Sequence, residues 1–262
     1  MKKTLVILAL FLLIAVSVFA ANLKSGVYFA QEDQFAETGW KDNVTLVVKN
    51  GRITDASWNG ANVDAGTSKD VRSRDGNYKM VEYGNAIAPW WKQAEALEKK
   101  LLSSQNINAI SLSDTDGHTD AVSGATINVK NFVDLVKKAL AAGPLGYGDY
   151  KDGVYKAEES AFDHGYKYFV EVTVVSGYIV AVNWDGIAED GSDSKAKKSI
   201  DGVYNMVAYG GAMAPWWEQA RAVENKVLMS QSVRQPDAIS GASIGLDPFF
   251  TLLNEALAGA KR

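Results

Sequence analysis

The sequence predicts an α+β chain made of two similar domains in tandem, each an antiparallel sheet packed with helices. Three observations carry that prediction. An internal repeat runs through nearly the whole length, strand-period hairpins open each copy, and helix-period apolar stripes close each one.

The repeat is direct. Gly26-Val27-Tyr28 returns as Gly153-Val154-Tyr155, and Gly76 to Gln105 matches Gly202 to Gln231 at an offset of 126 with 19 of 30 positions identical. Further on, Asp120-Ala121-Val122-Ser123-Gly124-Ala125-Thr126 matches Asp237-Ala238-Ile239-Ser240-Gly241-Ala242-Ser243 at an offset of 117, so the first copy holds nine extra residues between 106 and 119. The units are too long for a solenoid repeat and each has the size of a small domain. Their expected bounds are residues 24–143 and 151–260. Between them, Gly143-Pro144-Leu145-Gly146-Tyr147-Gly148-Asp149 is a short, punctuated connection.

Within each copy the elements follow one order. Val44 to Val48 alternates with period two, Asn50-Gly51 is a tight-turn signal and Ile53 to Trp58 resumes the strand; Phe169 to Val175, Ser176-Gly177 and Tyr178 to Trp184 repeat the pattern. A hairpin is thus expected to start each sheet. Pro89 and Pro215 suit a first helical turn, and Trp90, Ala94, Leu97 and Leu101 follow as an apolar stripe, echoed by Trp216, Ala220, Val223 and Val227. A terminal amphipathic helix carries Phe132, Leu135, Val136, Ala139 and Leu140 in copy one, and Phe249, Leu252, Leu253 and Leu257 in copy two. Asp247-Pro248 reads as the N-cap and first-turn pair of the latter.

Residues 1–20 have the parts of a secretory signal peptide: basic Lys2 and Lys3, an apolar run from Leu5 to Val18, and a small residue before a cut after Ala20. The other reading of that run is an uncleaved N-terminal anchor. Both place the remainder outside the cytoplasm, periplasmic or extracellular, and anchored if the leader is retained. The net charge of -4 falls to -6 without Lys2 and Lys3, and no later stretch concentrates basic residues, which argues against nucleic acid as a partner. The chain has no cysteine, so disulfides, thiolate metal sites, iron–sulfur ligation, a catalytic thiol and a lipid-modified cysteine are all excluded.

The Ser-Gly-Ala-Thr block, Ser-Gly-Ala-Ser in copy two, is the candidate site. It lies in the turn before the last helix, where small residues allow close approach of a phosphate and a helix N-terminus offers N–H donors. The bare pattern does not name the ligand. Its setting does more: Asp120 to Thr126, after a Gly-Val-Tyr opening and a glycine hairpin and before a terminal helix, resembles the FMN-binding domain family. The resemblance covers both repeats, with the motif twice in register. It implies that a flavin transferase moves FMN from FAD onto the hydroxyl of the last Thr or Ser as a phosphoester, which makes Thr126 and Ser243 the acceptors of two covalent FMN groups. It further implies that Asp120 and Asp237 begin the pattern read by the transferase, and that Ser123, Gly124 and Ala125, with Ser240, Gly241 and Ala242, form the presenting turns. Two departures stand out: Ile127-Asn128 and Ile244-Gly245 replace the hydroxyl residue that often follows the family's acceptor by two positions, and Ser243 replaces Thr.

Other residues carry weaker signals. Trp90 and Trp216 read as core, Trp58 and Trp184 as ends of buried strands, and Trp91 and Trp217 as flavin or interdomain contacts; Tyr83 and Tyr209 are aromatic candidates for stacking on the flavin. The Asp114 to Asp120 loop fails the EF-hand pattern and reads as solvated, with His118 and His164 structural or exposed. Lys195 to Lys198 reads as a solvated charged face. The function implied by the resemblance is electron carriage by an exported flavoprotein between a membrane donor and an external acceptor. An FMN-dependent small-molecule reductase and a secreted binding module without covalent flavin are the alternatives.

Overall fold

The computed structural model describes residues 23–262; the expected signal peptide lies outside the described residues. Among those described, no helix is long and apolar enough to cross a membrane. By its internal contacts the chain forms two compact units. One holds the described residues up to Ala30 together with Val44–Trp58 and Met80–Gly146; the other holds Gln31–Asn43, Asn59–Lys79 and Tyr147–Arg262.

The element order repeats. Strands β1 (Gly26–Gln31), β2 (Trp40–Lys49) and β3 (Arg52–Asn62) precede helices α1 (Lys69–Arg74), α2 (Met80–Gly84), α3 (Trp90–Ser104) and α4 (Lys130–Ala142). Strands β4 (Gly153–Glu158), β5 (Tyr166–Val175) and β6 (Tyr178–Ala188) then precede α5 (Lys195–Ile200), α6 (Met206–Gly210), α7 (Trp216–Ser230) and α8 (Asp247–Leu257). Each sheet is three-stranded and antiparallel, in the order β1-β2-β3 and β4-β5-β6. The fold is thus α+β, with the same sheet-and-helix arrangement occurring twice along the chain. Each sheet begins one strand before the expected hairpin, at the Gly-Val-Tyr opening.

The hairpin turns follow from their residues. Asn50 and Gly51 have φ of 50° and 76°, and Ser176 and Gly177 have 52° and 81°. Two successive positive φ values make the type I′ turn whose twist suits a two-residue hairpin. The extra residues of copy one form the short 3-10 turn Ile107–Ala109 and the loop after it.

The helices cover the sheets with the expected stripes. Trp90, Ala94, Leu97 and Leu101 are buried, as are Trp216, Ala220, Val223 and Val227. Trp58 packs against Trp90 and Phe132 with ring centroids 5.1 and 5.4 Å apart; Trp184 repeats this against Trp216 and Phe249 at 5.4 and 5.2 Å. Both tryptophans lie inside their strands, which continue four residues further.

Polar residues on the same helices close the outer strands. Glu98 Oε1 accepts from Trp58 N at 2.7 Å, and Gln105 both accepts from Ile53 N and donates to Ile53 O, each at 2.9 Å. Glu224 and Gln231 make the same bonds to Trp184 N and to Ile179 N and O. β3 and β6 are edge strands, and an edge with unpaired N–H and C=O groups is a template for unwanted pairing. Side chains from α3 and α7 occupy part of each edge. Gln105 and Gln231 also end their helices in the left-handed region, with φ of 55° and 54°, a costly conformation for a residue with a Cβ that these bonds help hold.

The cap expected of Asp247 is not formed. Leu246 occupies the N-cap, Asp247 is the first helical residue, Pro248 follows, and the Asp247 carboxylate accepts from Gln235 Nε2 instead.

Candidate functional site

The two motifs fold alike. Ala125 N donates to Val122 O at 3.2 Å across Ser123-Gly124, and Ala242 N to Ile239 O at 3.1 Å across Ser240-Gly241. The glycines have φ of 86° and 85° while the serines before them are not in the positive region. This is the φ pattern of a type II turn, which requires glycine or asparagine at its third position. Val122 and Ile239 are buried and root each turn in its core; Ala125 is buried and Ala242 half-buried. Asp120, Ser123, Gly124 and Thr126 are exposed, as are Asp237, Ser240, Gly241 and Ser243. An ideal Cβ on Gly124 would meet nothing within 4 Å. The sequence-predicted residues are therefore brought together, and Thr126 and Ser243, the expected acceptors, are exposed beside small neighbours.

What holds the acceptor is not a helix N-terminus. Thr126 and Ser243 each lie three residues before the N-cap residue of α4 or α8, Val129 and Leu246, and Lys130 N at the start of α4 donates to Asn128 Oδ1 at 2.9 Å.

The holding group is a glutamine that sequence reasoning passed over. Gln93 is 0 % exposed and Gln219 is 1 % exposed. Gln93 Oε1 accepts from Thr126 N at 2.7 Å, from Ile127 N at 3.2 Å and from Thr126 Oγ1 at 3.3 Å, while its Nε2 donates to Ala88 O at 2.8 Å. Gln219 Oε1 accepts from Ser243 N at 2.7 Å and Ser243 Oγ at 3.1 Å, and its Nε2 donates to Ala214 O at 2.8 Å. A buried amide with every polar atom engaged is the arrangement a dry interior demands. The signal available in the sequence was a glutamine one turn after the first tryptophan of an apolar stripe, at the same place in both repeats.

The glutamine also ties in a second feature. The segment from α2 to α3 is closed by Ala86 N to Met80 O at 3.2 Å and ends at Ala88, the partner of Gln93; Ala212 N to Met206 O at 3.1 Å and Ala214 repeat this. On it Tyr83 and Ile87 are 75 % and 67 % exposed, and Tyr209 and Met213 are 90 % and 82 % exposed. Both repeats thus hold an aromatic and an aliphatic side chain in solvent on a segment hydrogen-bonded to the glutamine that grips the acceptor. Trp91 and Trp217 are half-buried at the second residue of α3 and α7, and Trp217 N donates to Ser199 Oγ at 3.3 Å.

Lys195 departs from the expected solvated face. It is buried, with Nζ 4.7 to 5.4 Å from the ring centroids of Tyr204, Tyr166, Tyr168 and Trp216, and it hydrogen-bonds the Tyr168 hydroxyl. Burial lowers its pKa from 10.5 to about 8 against the pull of Asp185 and Glu159. Lys69 holds the matching place in the first repeat, 3.0 Å from Asp42 and over Trp40 and Tyr78. A helix of one and a half turns gave no periodicity from which to read that burial. Lys197 and Lys198 pair with Asp201 and Asp190 nearer the surface.

In the acidic loop, His118 N and Nδ1 both bond the Asp114 carboxylate, at 2.9 and 2.8 Å, and the backbone N–H holds that carboxyl below its usual range. His164 is exposed beside Asp163. Among the described residues no group of three or more His, Cys, Asp or Glu is placed to hold a metal. An open groove of about 440 Å³ is lined by Val233, Arg234, Gln235, Phe250, Thr251 and Asn254, and Ser243 is not part of its wall.

Comparison with known proteins defines the class. The model of the FMN-binding domain family matches residues 39–141, which include the first motif and its glutamine, and that region belongs to the family. Residues 39–141 are therefore similar to an FMN-binding domain. The chain is also similar to a protein of Treponema pallidum (strain Nichols) named 15 kDa lipoprotein, 27 % identical over 125 residues, or 47 % of this chain and 86 % of the relative. Among solved structures, a Clostridium thermocellum protein studied by NMR is 54 % identical over 46 % of this chain and 92 % of its own, with a TM-score of 0.37. A Clostridium perfringens protein known from a crystal structure is 26 % identical over 47 % of this chain and 89 % of its own, also with a TM-score of 0.37.

Proposed function

We propose that this chain is an exported flavoprotein that carries one FMN on Thr126 and a second on Ser243, each as a phosphoester, and that it passes electrons between a membrane donor and a periplasmic or extracellular acceptor. The observation that carries the reading is the doubled presentation of a surface hydroxyl: the same turn, the same glutamine and the same exposed hydroxyl occur in both repeats. The family match of the first repeat supports FMN as the group attached.

The residues present fit that group. A phosphoester needs a reachable hydroxyl without bulky neighbours, and Ser123-Gly124 and Ser240-Gly241 supply the open side. Tyr83 and Ile87, with Tyr209 and Met213, offer apolar surface to a flat aromatic ring and would shield one of its faces from water. Asp120 and Asp237 are exposed, as recognition by a transferase requires. FMN supplies the electron-accepting and electron-donating chemistry, and the protein supplies position and environment. Covalent attachment suits an exported carrier, because a dissociable cofactor is lost where its free concentration is low. The name of the Treponema relative and the leader-like first residues support export; with no cysteine in the chain, a lipid-modified cysteine is not the means of attachment.

Reduction of the purified, flavin-loaded protein by membranes of its host, followed by reoxidation with an added acceptor, tests carriage. Flavin bleaching with donor membranes and its recovery support it. Loaded protein that no membrane fraction reduces contradicts it.

A further inference from the structure

From the geometry we infer that Gln93 and Gln219 are positioning residues for flavin attachment: each holds the proton of its acceptor hydroxyl inward, so that the oxygen lone pairs face outward for the transfer, and loses its bond to that hydroxyl once the ester forms. The inference rests on the flavin-attachment reading above and adds to it a residue that sets the rate at each site.

The amide can sit only one way. Its Nε2 donates to the carbonyl of Ala88 or Ala214, so its Oε1 must face the backbone N–H of Thr126 or Ser243. That oxygen is an acceptor only. A hydroxyl 3.3 or 3.1 Å away can therefore only donate to it, which turns the Oγ proton inward. The two oxygen lone pairs then face away from the buried glutamine, toward the exposed side of the turn. A nucleophile held near its attack geometry gains rate because orientation is fixed before the reaction.

The transfer itself balances as follows. Thr126 Oγ1 attacks the FMN phosphorus of a flavin dinucleotide, the Oγ1–P bond forms, and the P–O bond to the adenylate breaks to release AMP. As the Oγ1–P bond forms, the hydroxyl proton turns off Oε1 and leaves to a base of the transferase, because an amide oxygen is not a base at neutral pH. In the ester, Oγ has no proton. Oε1 and Oγ then face each other as two acceptors, and the side chain must turn away from the glutamine. The N–H bonds from Thr126 and Ile127, or from Ser243, are untouched by the ester, so the turn stays in place while the flavin-bearing side chain moves outward.

The test is single-turnover flavinylation of the purified full chain by a flavin transferase with FAD, followed site by site with peptide mass spectrometry. Wild type is compared with Gln93→Met, Gln219→Met and Gln93→Glu. Methionine matches the volume and suits the apolar stripe but cannot accept; the expected result is a loss of on the order of tenfold or more in rate at Thr126 for Gln93→Met with Ser243 unchanged, and the reverse for Gln219→Met. The loss should lie in the rate at saturating transferase, with the half-saturating concentration retained. Glutamate keeps an acceptor oxygen toward Thr126 but, when ionised, loses the bond to Ala88 O that fixes the amide, so it should retain only part of the rate, more than methionine does, and retain it in a pH-dependent way. Equal rates at both sites in folded Gln93→Met and Gln219→Met proteins would overturn the inference. If circular dichroism shows the methionine variants unfolded, Gln93→Glu decides: a Thr126 rate unchanged at all pH values overturns it, and a pH-dependent rate at Thr126 alone supports it. A wild-type chain that gains no FMN at either site would instead sink the attachment reading itself.

Discussion

Replacing Lys195 with methionine isolates the cost of burying an ammonium group. Burial lowers the lysine pKa in the folded protein to about 8 from 10.5. That separation corresponds to about 3 kcal/mol against the charged form. The unfolded chain binds the proton more tightly, so between pH 8 and 10.5 it holds more protons than the folded chain, and stability rises with pH across that window. Below pH 8 both states are protonated and the penalty is constant. Lys41, whose pKa burial also lowers to about 8, is present in both proteins and cancels in the comparison. The stability of wild type minus that of Lys195→Met should therefore climb by about 2 kcal/mol in all from pH 8 to pH 10, most steeply near pH 9, and stay flat from pH 6 to pH 7. Urea unfolding followed by tryptophan fluorescence at each pH measures it. Parallel profiles for the two proteins would refute the reasoning, and would mean that the faces of Tyr166, Tyr168, Tyr204 and Trp216 repay the ammonium in full for its lost hydration.

Two further substitutions probe the frame around the acceptor. Gly124→Ala puts a Cβ into open space but at a φ of 86°, so only the backbone conformation is penalised, and urea titration should show a loss of about 1 kcal/mol. Gln231→Leu strips Ile179 of partners for both its N–H and its C=O on an edge strand and should cost about 2 kcal/mol, with faster amide exchange at Ile179 than in wild type.

Much of the frame was legible because its causes are local. Asn50-Gly51 makes its own turn, Pro89 and Pro215 sit at the N-caps of their helices, and the apolar stripes need only a count along the chain. The motif residues too were readable, since valine or isoleucine, Ser-Gly, alanine and a hydroxyl residue form one continuous turn. What escaped reading is non-local or too short to show a period. Gln93 meets Thr126 across 33 positions and Gln219 meets Ser243 across 24, and neither glutamine differs in composition from a solvent-facing one until the turn is docked on it. The repeat did hold the clue: Gln93, Glu98 and Gln105 are identical to their counterparts in the most similar block, and all three turn out to reach strand or motif backbone. Lys195 was misread because α5 is six residues long and its burial is set by rings from β5, α7 and Tyr204. Asp247 was misplaced by one position because Leu246 adopts helical dihedrals without any side-chain cap.

The intact mass of the chain, produced in a host that makes a flavin transferase, tests covalent attachment at Thr126 and Ser243 most directly. The wild type should carry two additions, each of FMN less water; Thr126→Ala and Ser243→Ala should each lose one, and the double variant both. An unmodified mass, from a host that attaches flavin to other exported proteins in the same preparation, would contradict it.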